Sequence, residues 1–151
     1  MKRRLVLLLA ATLLACESCK AEGTEPFVRV RGEAPAALQQ DGAVLVSFWG
    51  SWCPPCVEET EGLAALAADP PGDLRVIVVA VNEEADAARR AFPGVQVIPD
   101  PRGTLAGESR ADQLPVALLV HGGETIARFD GKRDWNGAAA RSTLERLLGI
   151  E

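Results

Sequence analysis

Histidine and methionine are almost absent from this 151-residue chain, with one of each, and cysteine is held to four. A structural zinc site takes four ligands. Outside the pair Cys53/Cys56 only Cys19 and His121 remain to supply them. Met1 is the sole methionine, so the methionine-rich patch of a copper carrier is missing. Four cysteines are too few for a small domain held by a disulfide framework, and the chain is long enough to bury a core without one. Positive charge is also scarce, 16 Lys+Arg against 21 Asp+Glu for a net −5. Binding to a phosphate backbone needs the opposite balance, which excludes nucleic acid as a partner. The leading apolar run, Leu5 to Ala15, is 11 residues long, well short of the ~20 that cross a bilayer as a helix. Repeats and low-complexity tracts are missing too. With 48% hydrophobic and 25% charged residues, the composition fits one globular domain behind a short processed segment.

That segment reads as an address. Lys2-Arg3-Arg4 followed by Leu5 to Ala15 has the basic and then apolar layout of a secretory signal. Its end, Leu13-Leu14-Ala15-Cys16, resembles a bacterial lipobox, which implies cleavage after residue 15 and lipid on Cys16. Cleavage without lipidation, leaving Cys16 a plain thiol, is the alternative. Losing residues 1–15 removes three cations and no acid, taking the charge from −5 to −8. Residues 16–26 form a polar tether carrying Cys19, a leftover thiol open to intermolecular oxidation. The domain spans 27–151 and works outside the cytoplasm, held at the periplasmic side of a bacterial membrane by the lipid anchor.

Periodicity divides the rest. Phe27 to Arg31 alternates like a half-buried edge strand, and Pro35 to Gln40 suits a short helix. Ala43 to Trp49 and Leu74 to Val81 are apolar runs typical of central strands covered on both faces. Helices are expected over Val57 to Ala68, Glu83 to Phe92, Thr104 to Asp112 with Thr104 as N-cap, and Asn136 to Leu148. Val95 to Ile98 is a short strand. Val116 to Val120 and Thr125 to Phe129 flank His121-Gly122-Gly123-Glu124, a hairpin signature with His121 facing solvent. The class is α/β, with a mixed central sheet flanked by helices.

The chemistry concentrates in Trp52-Cys53-Pro54-Pro55-Cys56, between a buried strand and a helix. Cysteines at i and i+3 share a helix face and can close a small disulfide. Cys53 falls at the N-cap, where unpaired amides favour its thiolate, and Cys56 is one turn in, suited to resolve a mixed disulfide. Prolines fit the first helical positions, where their missing N–H is not needed. Val57 after the second Cys excludes covalent haem attachment, which needs His there. An inert disulfide or half a zinc site are the alternatives. Glu59 lies on the inward stripe with Cys56, Thr60 and Leu63, while Glu58 and Glu61 point away. Desolvation would raise its pKa and let it shuttle the proton of Cys56; the alternative is a glutamate that suits the helix's first turns. Trp49 and Trp52 read as core or as border of a docking surface, the latter for Trp52, directly before Cys53. Pro115 precedes a buried strand, so an edge position or a plain trans turn is open to it.

Val46-Ser47-Phe48-Trp49-Gly50-Ser51-Trp52-Cys53-Pro54-Pro55-Cys56, Leu114-Pro115 and the closing hairpin and helix resemble the thioredoxin superfamily, in its extracytoplasmic TlpA/ResA-like branch. The resemblance runs from about Ala43 to Leu148 and implies a thioredoxin-like fold. It also implies a cis Pro115 packed against the cysteines, and a Leu114 backbone that binds an extended substrate strand. Glu59 matches an acidic position of the ResA-like branch, and Glu83 to Asp112 matches the branch's inserted element. Three positions depart from the pattern: Ser47 replaces the buried Asp of cytoplasmic thioredoxins, Glu61 replaces a proline, and Val116 follows Pro115 where Thr is usual.

The expected function is a membrane-anchored thiol-disulfide oxidoreductase with no cofactor beyond a redox-active Cys53–Cys56 disulfide and no metal. Pro54 and Pro55 remove two amide donors near Cys53, which favours reduction over oxidation. The resemblance implies clients among exported protein disulfides, apocytochrome c included, and electrons from a membrane thiol transporter of CcdA/DsbD type. A disulfide-forming oxidant, a copper module using Cys53, Cys56 and His121, and a thiol peroxidase are the rivals.

Overall fold

The computed structural model describes residues 26–150. The leader, Cys16, Cys19 and the tether up to residue 25 lie outside them. The two apolar runs form the middle of a six-stranded sheet, where both faces are covered. β2 (Ala43–Trp49) is parallel to β3 (Arg75–Val81), which is parallel to β4 (Gln96–Asp100). On the other side of β2 lie β5 (Val116–His121), β6 (Glu124–Asp130) and β1 (Val28–Glu33), each antiparallel to its neighbour. The order is β1-β6-β5-β2-β3-β4, a mixed sheet.

Side chains alternate across a strand, and β2 therefore feeds two cores. Leu45 and Trp49 join one that holds Cys53, Cys56, Leu63, Phe92 and Leu144. Helices α1 (Pro54–Glu58), α2 (Thr60–Ala68), α3 (Ala85–Ala91) and α5 (Ala138–Leu148) cover that face. Val44, Val46 and Phe48 join the other, under α4 (Thr104–Glu108) and a single 3-10 turn at Ala36–Leu38. Gly122 and Gly123, both at positive φ, form the two-residue turn between β5 and β6, where a side chain would be strained.

Several elements depart from the sequence expectation. β1 is mostly exposed, because a register shift between Arg29 and Gly32 breaks its alternation. The helix expected from Val57 begins earlier, at Pro54, and is interrupted at Glu59. There the Cys56 carbonyl accepts from the Trp49 indole N–H (3.0 Å) and from the Glu59 amide (3.3 Å). A side chain inserted into the helical ladder is an established cause of such a break. α3 starts at Ala85 rather than Glu83, whose carboxylate is held elsewhere. Thr104 is not the cap of α4: the preceding residue is Gly103 at φ +66°, and the buried Asp100 carboxylate accepts from the amides of Leu105 (3.2 Å) and Ala106 (2.9 Å).

A cap supplied by the previous strand ties α4 to β4. Replacing a capping side chain costs about 1–2 kcal/mol. Asp100→Ala is therefore expected to lower the free energy of unfolding by that amount, read as a lower urea midpoint at an unchanged m-value, and Asp100→Asn, which keeps one acceptor, by less.

Candidate active site

β2 ends at Trp49, and the chain turns at once into α1. The Cys53 amide donates to the Gly50 carbonyl (3.1 Å), closing a turn that sets Cys53 at the N-cap of α1. Cys53 and Cys56 form a disulfide with their Cα atoms 5.3 Å apart. Both are buried, Cys53 at 4% exposure and Cys56 at 0%. The Cys56 amide donates to Cys53 Sγ (3.4 Å). Pro54 and Pro55 occupy the two positions between, where an amide would otherwise point at the same sulfur.

The two tryptophans differ. Trp49 is core, edge-on to Phe92, with its indole N–H shared between the Cys56 carbonyl and Thr60 Oγ1 (3.1 Å). Trp52 is 53% exposed and pinned by its N–H to the Val81 carbonyl (2.8 Å). Its ring lies so close over Gly50 that a Cβ there would sit 2.6 Å from the indole nitrogen. Trp52 and Leu114 border one groove, whose further wall includes Val81, Arg102, Gly107 and Asp112. The Leu114–Pro115 peptide is cis, as the resemblance implies. Pro115 directly precedes β5, at the end of the sheet where β2 delivers the cysteines.

Glu59 is buried at 4% exposure. Its carboxylate accepts from the Arg133 amide (3.0 Å). Burial pushes its pKa from 4.5 up to about 7, against the smaller opposing pull of the Arg133 amide, the Trp135 indole, and the Arg133 and Lys132 charges. The Trp135 N–H is near enough to exert that pull but falls outside hydrogen-bond geometry, and it has no other partner among the described residues. Glu59 lines a surface cleft with Glu58, Gly62, Lys132, Arg133 and Asp134, and Lys132 pairs with Glu58. Ser47 is fully buried with its hydroxyl unpartnered, on the β2 face shared with Leu45 and Trp49.

His121 stands at the opposite end of the sheet. It pairs with Ala43 at the start of β2, six residues before Trp49, about 20 Å from the cysteine end at ~3.3 Å per residue. A copper site joining it to Cys53 and Cys56 is therefore ruled out by geometry. Among the described residues no three His, Cys, Asp or Glu side chains gather as metal ligands. No helix among them is long and apolar enough to cross a membrane. Sequence reasoning missed Arg133, Trp135 and the Glu83 carboxylate, which accepts from the Ser51 amide (2.8 Å) and hydroxyl. Their partners lie 32 or more residues away, a separation that carries no local pattern.

A buried acid whose folded pKa exceeds its unfolded one binds a proton in the fold that the open chain has released. Its cost to stability is absent below pH 4.5 and complete above about pH 7. The difference corresponds to about 3 kcal/mol. Glu59→Gln, which keeps an acceptor for the Arg133 amide, is expected to gain on the wild type by about that amount between pH 4.5 and pH 8, read by urea denaturation at each pH.

Comparison with known proteins agrees with this geometry. The thioredoxin family model matches residues 32–141. The thiol:disulfide interchange protein DsbE homolog of Paracoccus denitrificans is 33% identical over 100 residues, 62% of this chain and 54% of its own, so the match spans little more than half of that relative. Among solved structures, one described as a thiol:disulfide interchange protein DsbE from Chlorobium tepidum superposes with a TM-score of 0.62 at 20% identity, covering 83% of this chain and 96% of that one. The pneumococcal exposed lipoprotein thioredoxin from Streptococcus pneumoniae gives 0.60 at 20% identity, covering 73% and 88%. A cysteine pair at the mouth of a helix, a cis proline at the same end of the sheet and a family match over most of the chain lead to one conclusion: the protein belongs to the thioredoxin family.

Proposed function

We propose that the protein is a reductase of disulfides in exported proteins, anchored by lipid on Cys16 at the outer side of a bacterial membrane. The observation that carries the direction is the poverty of donors at Cys53 Sγ. Among the described residues only the Cys56 amide reaches it, at 3.4 Å. A thiolate with little hydrogen bonding is a less stable product of reduction, so the dithiol gives up its electrons more readily. The leader sequence and the exposed lipoprotein with the same fold support the location.

The Cys53 thiolate attacks one sulfur of a client disulfide, and the other sulfur leaves as a thiolate and takes up a proton. Cys56 then loses its proton and attacks Cys53 Sγ, which releases the second client thiol and re-forms the Cys53–Cys56 disulfide. Two electrons pass to the client in each cycle. Glu59, three residues past Cys56 with a pKa of about 7, is the group suited to accept the Cys56 proton at neutral pH. Its cleft offers that proton a route to solvent. Clients lie along the groove bounded by the exposed Trp52 and by Leu114, whose backbone pairs with an extended segment beside Pro115. Apocytochromes awaiting haem fit this role, since each presents a cysteine pair that must stay reduced. A membrane thiol transporter of CcdA/DsbD type would return two electrons and two protons to the oxidised pair, with no further cofactor.

Three measurements test the reading. Equilibration is expected to leave the pair oxidised in a glutathione buffer and balanced only in a dithiothreitol buffer; balance in glutathione would make the protein an oxidant. Cys56→Ser is expected to hold its client through Cys53 as a mixed disulfide. In Glu59→Gln, the dependence of thiol alkylation on pH near 7 should disappear, and an unchanged profile would remove Glu59 from the mechanism.

A further inference from the structure

The three residues that lead into Cys53 are held by groups the exchange mechanism does not use. Asn82 follows β3 at φ +56°, with its amide on the Asp100 carbonyl (2.8 Å). That turn carries Glu83 back across the sheet end, where one carboxylate oxygen accepts the Ser51 amide (2.8 Å) and the other accepts the Ser51 hydroxyl. Beside it the Trp52 indole is tied to Val81 and lies over Gly50, and the Gly50 carbonyl takes the Cys53 amide. Gly50 and Cys53 are thus held by a bond to each other, Ser51 by Glu83 and Trp52 by Val81, and the last two anchors come from the end of β3 and the turn after it. Spacing gives no hint of it, because Ser51 and Glu83 are 32 residues apart.

We propose that Glu83 is a positioning residue for the Cys53–Cys56 centre: it clamps the approach to Cys53 and, as an anion bonded to Ser51 two residues before Cys53, makes the reduced pair a stronger electron donor. The clamp removes conformers in which Cys53 swings away from Cys56. Its charge acts separately. A carboxylate held beside the approach repels the Cys53 thiolate and so destabilises the reduced, ionised form against the disulfide. Other charges nearby do not cancel it. Arg102 and Asp112 border the Trp52 groove with opposite signs, and Lys132 is paired with Glu58 on another side. This inference rests on Cys53 being the attacking thiol.

Glu83→Gln separates the two effects, since it keeps an acceptor and a polar group for Ser51 and removes only the charge. Reduced wild type and variant are compared by iodoacetamide alkylation of Cys53 at pH 7. They are also equilibrated at pH 9 with dithiothreitol, which is oxidised to its cyclic disulfide as the Cys53–Cys56 disulfide takes up two electrons and two protons. At about 10 mM salt the variant is expected to alkylate roughly two-fold faster, and its equilibrium to move roughly two- to three-fold toward the dithiol. Both differences should fade in 0.5 M salt, where screening is nearly complete at this range. Identical behaviour of the two proteins at low salt would overturn the proposal, and so would a difference that persists undiminished at high salt, which packing alone would give. If the wild type itself fails to exchange with dithiothreitol, the fault lies in the reading of the cysteine pair rather than in Glu83.

Discussion

Everything at the redox centre hangs on how β2 ends. The strand is buried on both faces, and its alternate side chains are packed into two different cores that a one-residue slip would interchange, so its last residue is fixed in space. Trp49 is that residue, and its indole N–H on the Cys56 carbonyl fastens the helix carrying the resolving cysteine to the strand that delivers the attacking one. A single side chain therefore ties the helix start to the strand end. The same bond occupies a carbonyl that the helix would have used, and the interruption at Glu59 follows. At that break Glu59 is carried inward, toward the Arg133 amide.

The site combines groups of opposite tendency. The N-cap position and the Cys56 amide favour a thiolate at Cys53, while two prolines withhold further donors and Glu83 supplies a like charge. Beneath, the core places hydrocarbon around Glu59 and raises its proton affinity to the pH at which thiols must exchange protons. Ser47, on the same face, carries a hydroxyl that does not ionise near neutral pH, which leaves Glu59 as the one buried carboxylate on the cysteine side of the sheet among the described residues. Asp100, the other buried acid, is spent on capping α4.

Much of this was legible in the sequence wherever the signal is local. The aliphatic runs of β2 and β3 admit no solvent-facing side, and the two glycines between β5 and β6 admit no looser turn. Glu59 was visible as an inward position because helical periodicity places it with Cys56 and Leu63. The cis state of Leu114–Pro115 was legible only through family resemblance, since a proline before a strand is compatible with other geometries. What stayed hidden were contacts between distant segments. Asp100 rather than Thr104 caps α4, Glu83 leaves its helix for Ser51, and Arg133 and Trp135 reach Glu59 from beyond β6. None leaves a mark in neighbouring residues. The copper site through His121 failed for a related reason: strand register puts that residue at the wrong end of the sheet.

The proposed exchange requires Cys53 and Cys56 to open and close as a pair while passing electrons to another polypeptide. A thiol count, taken after the fully reduced protein is mixed with a limiting amount of a disulfide-bonded polypeptide, reads this directly. Two thiols are expected to vanish from this protein for every client disulfide opened, with mass spectrometry placing both losses at Cys53 and Cys56. Client disulfides left intact, or thiols at 53 and 56 that persist unchanged beside them, would contradict that exchange.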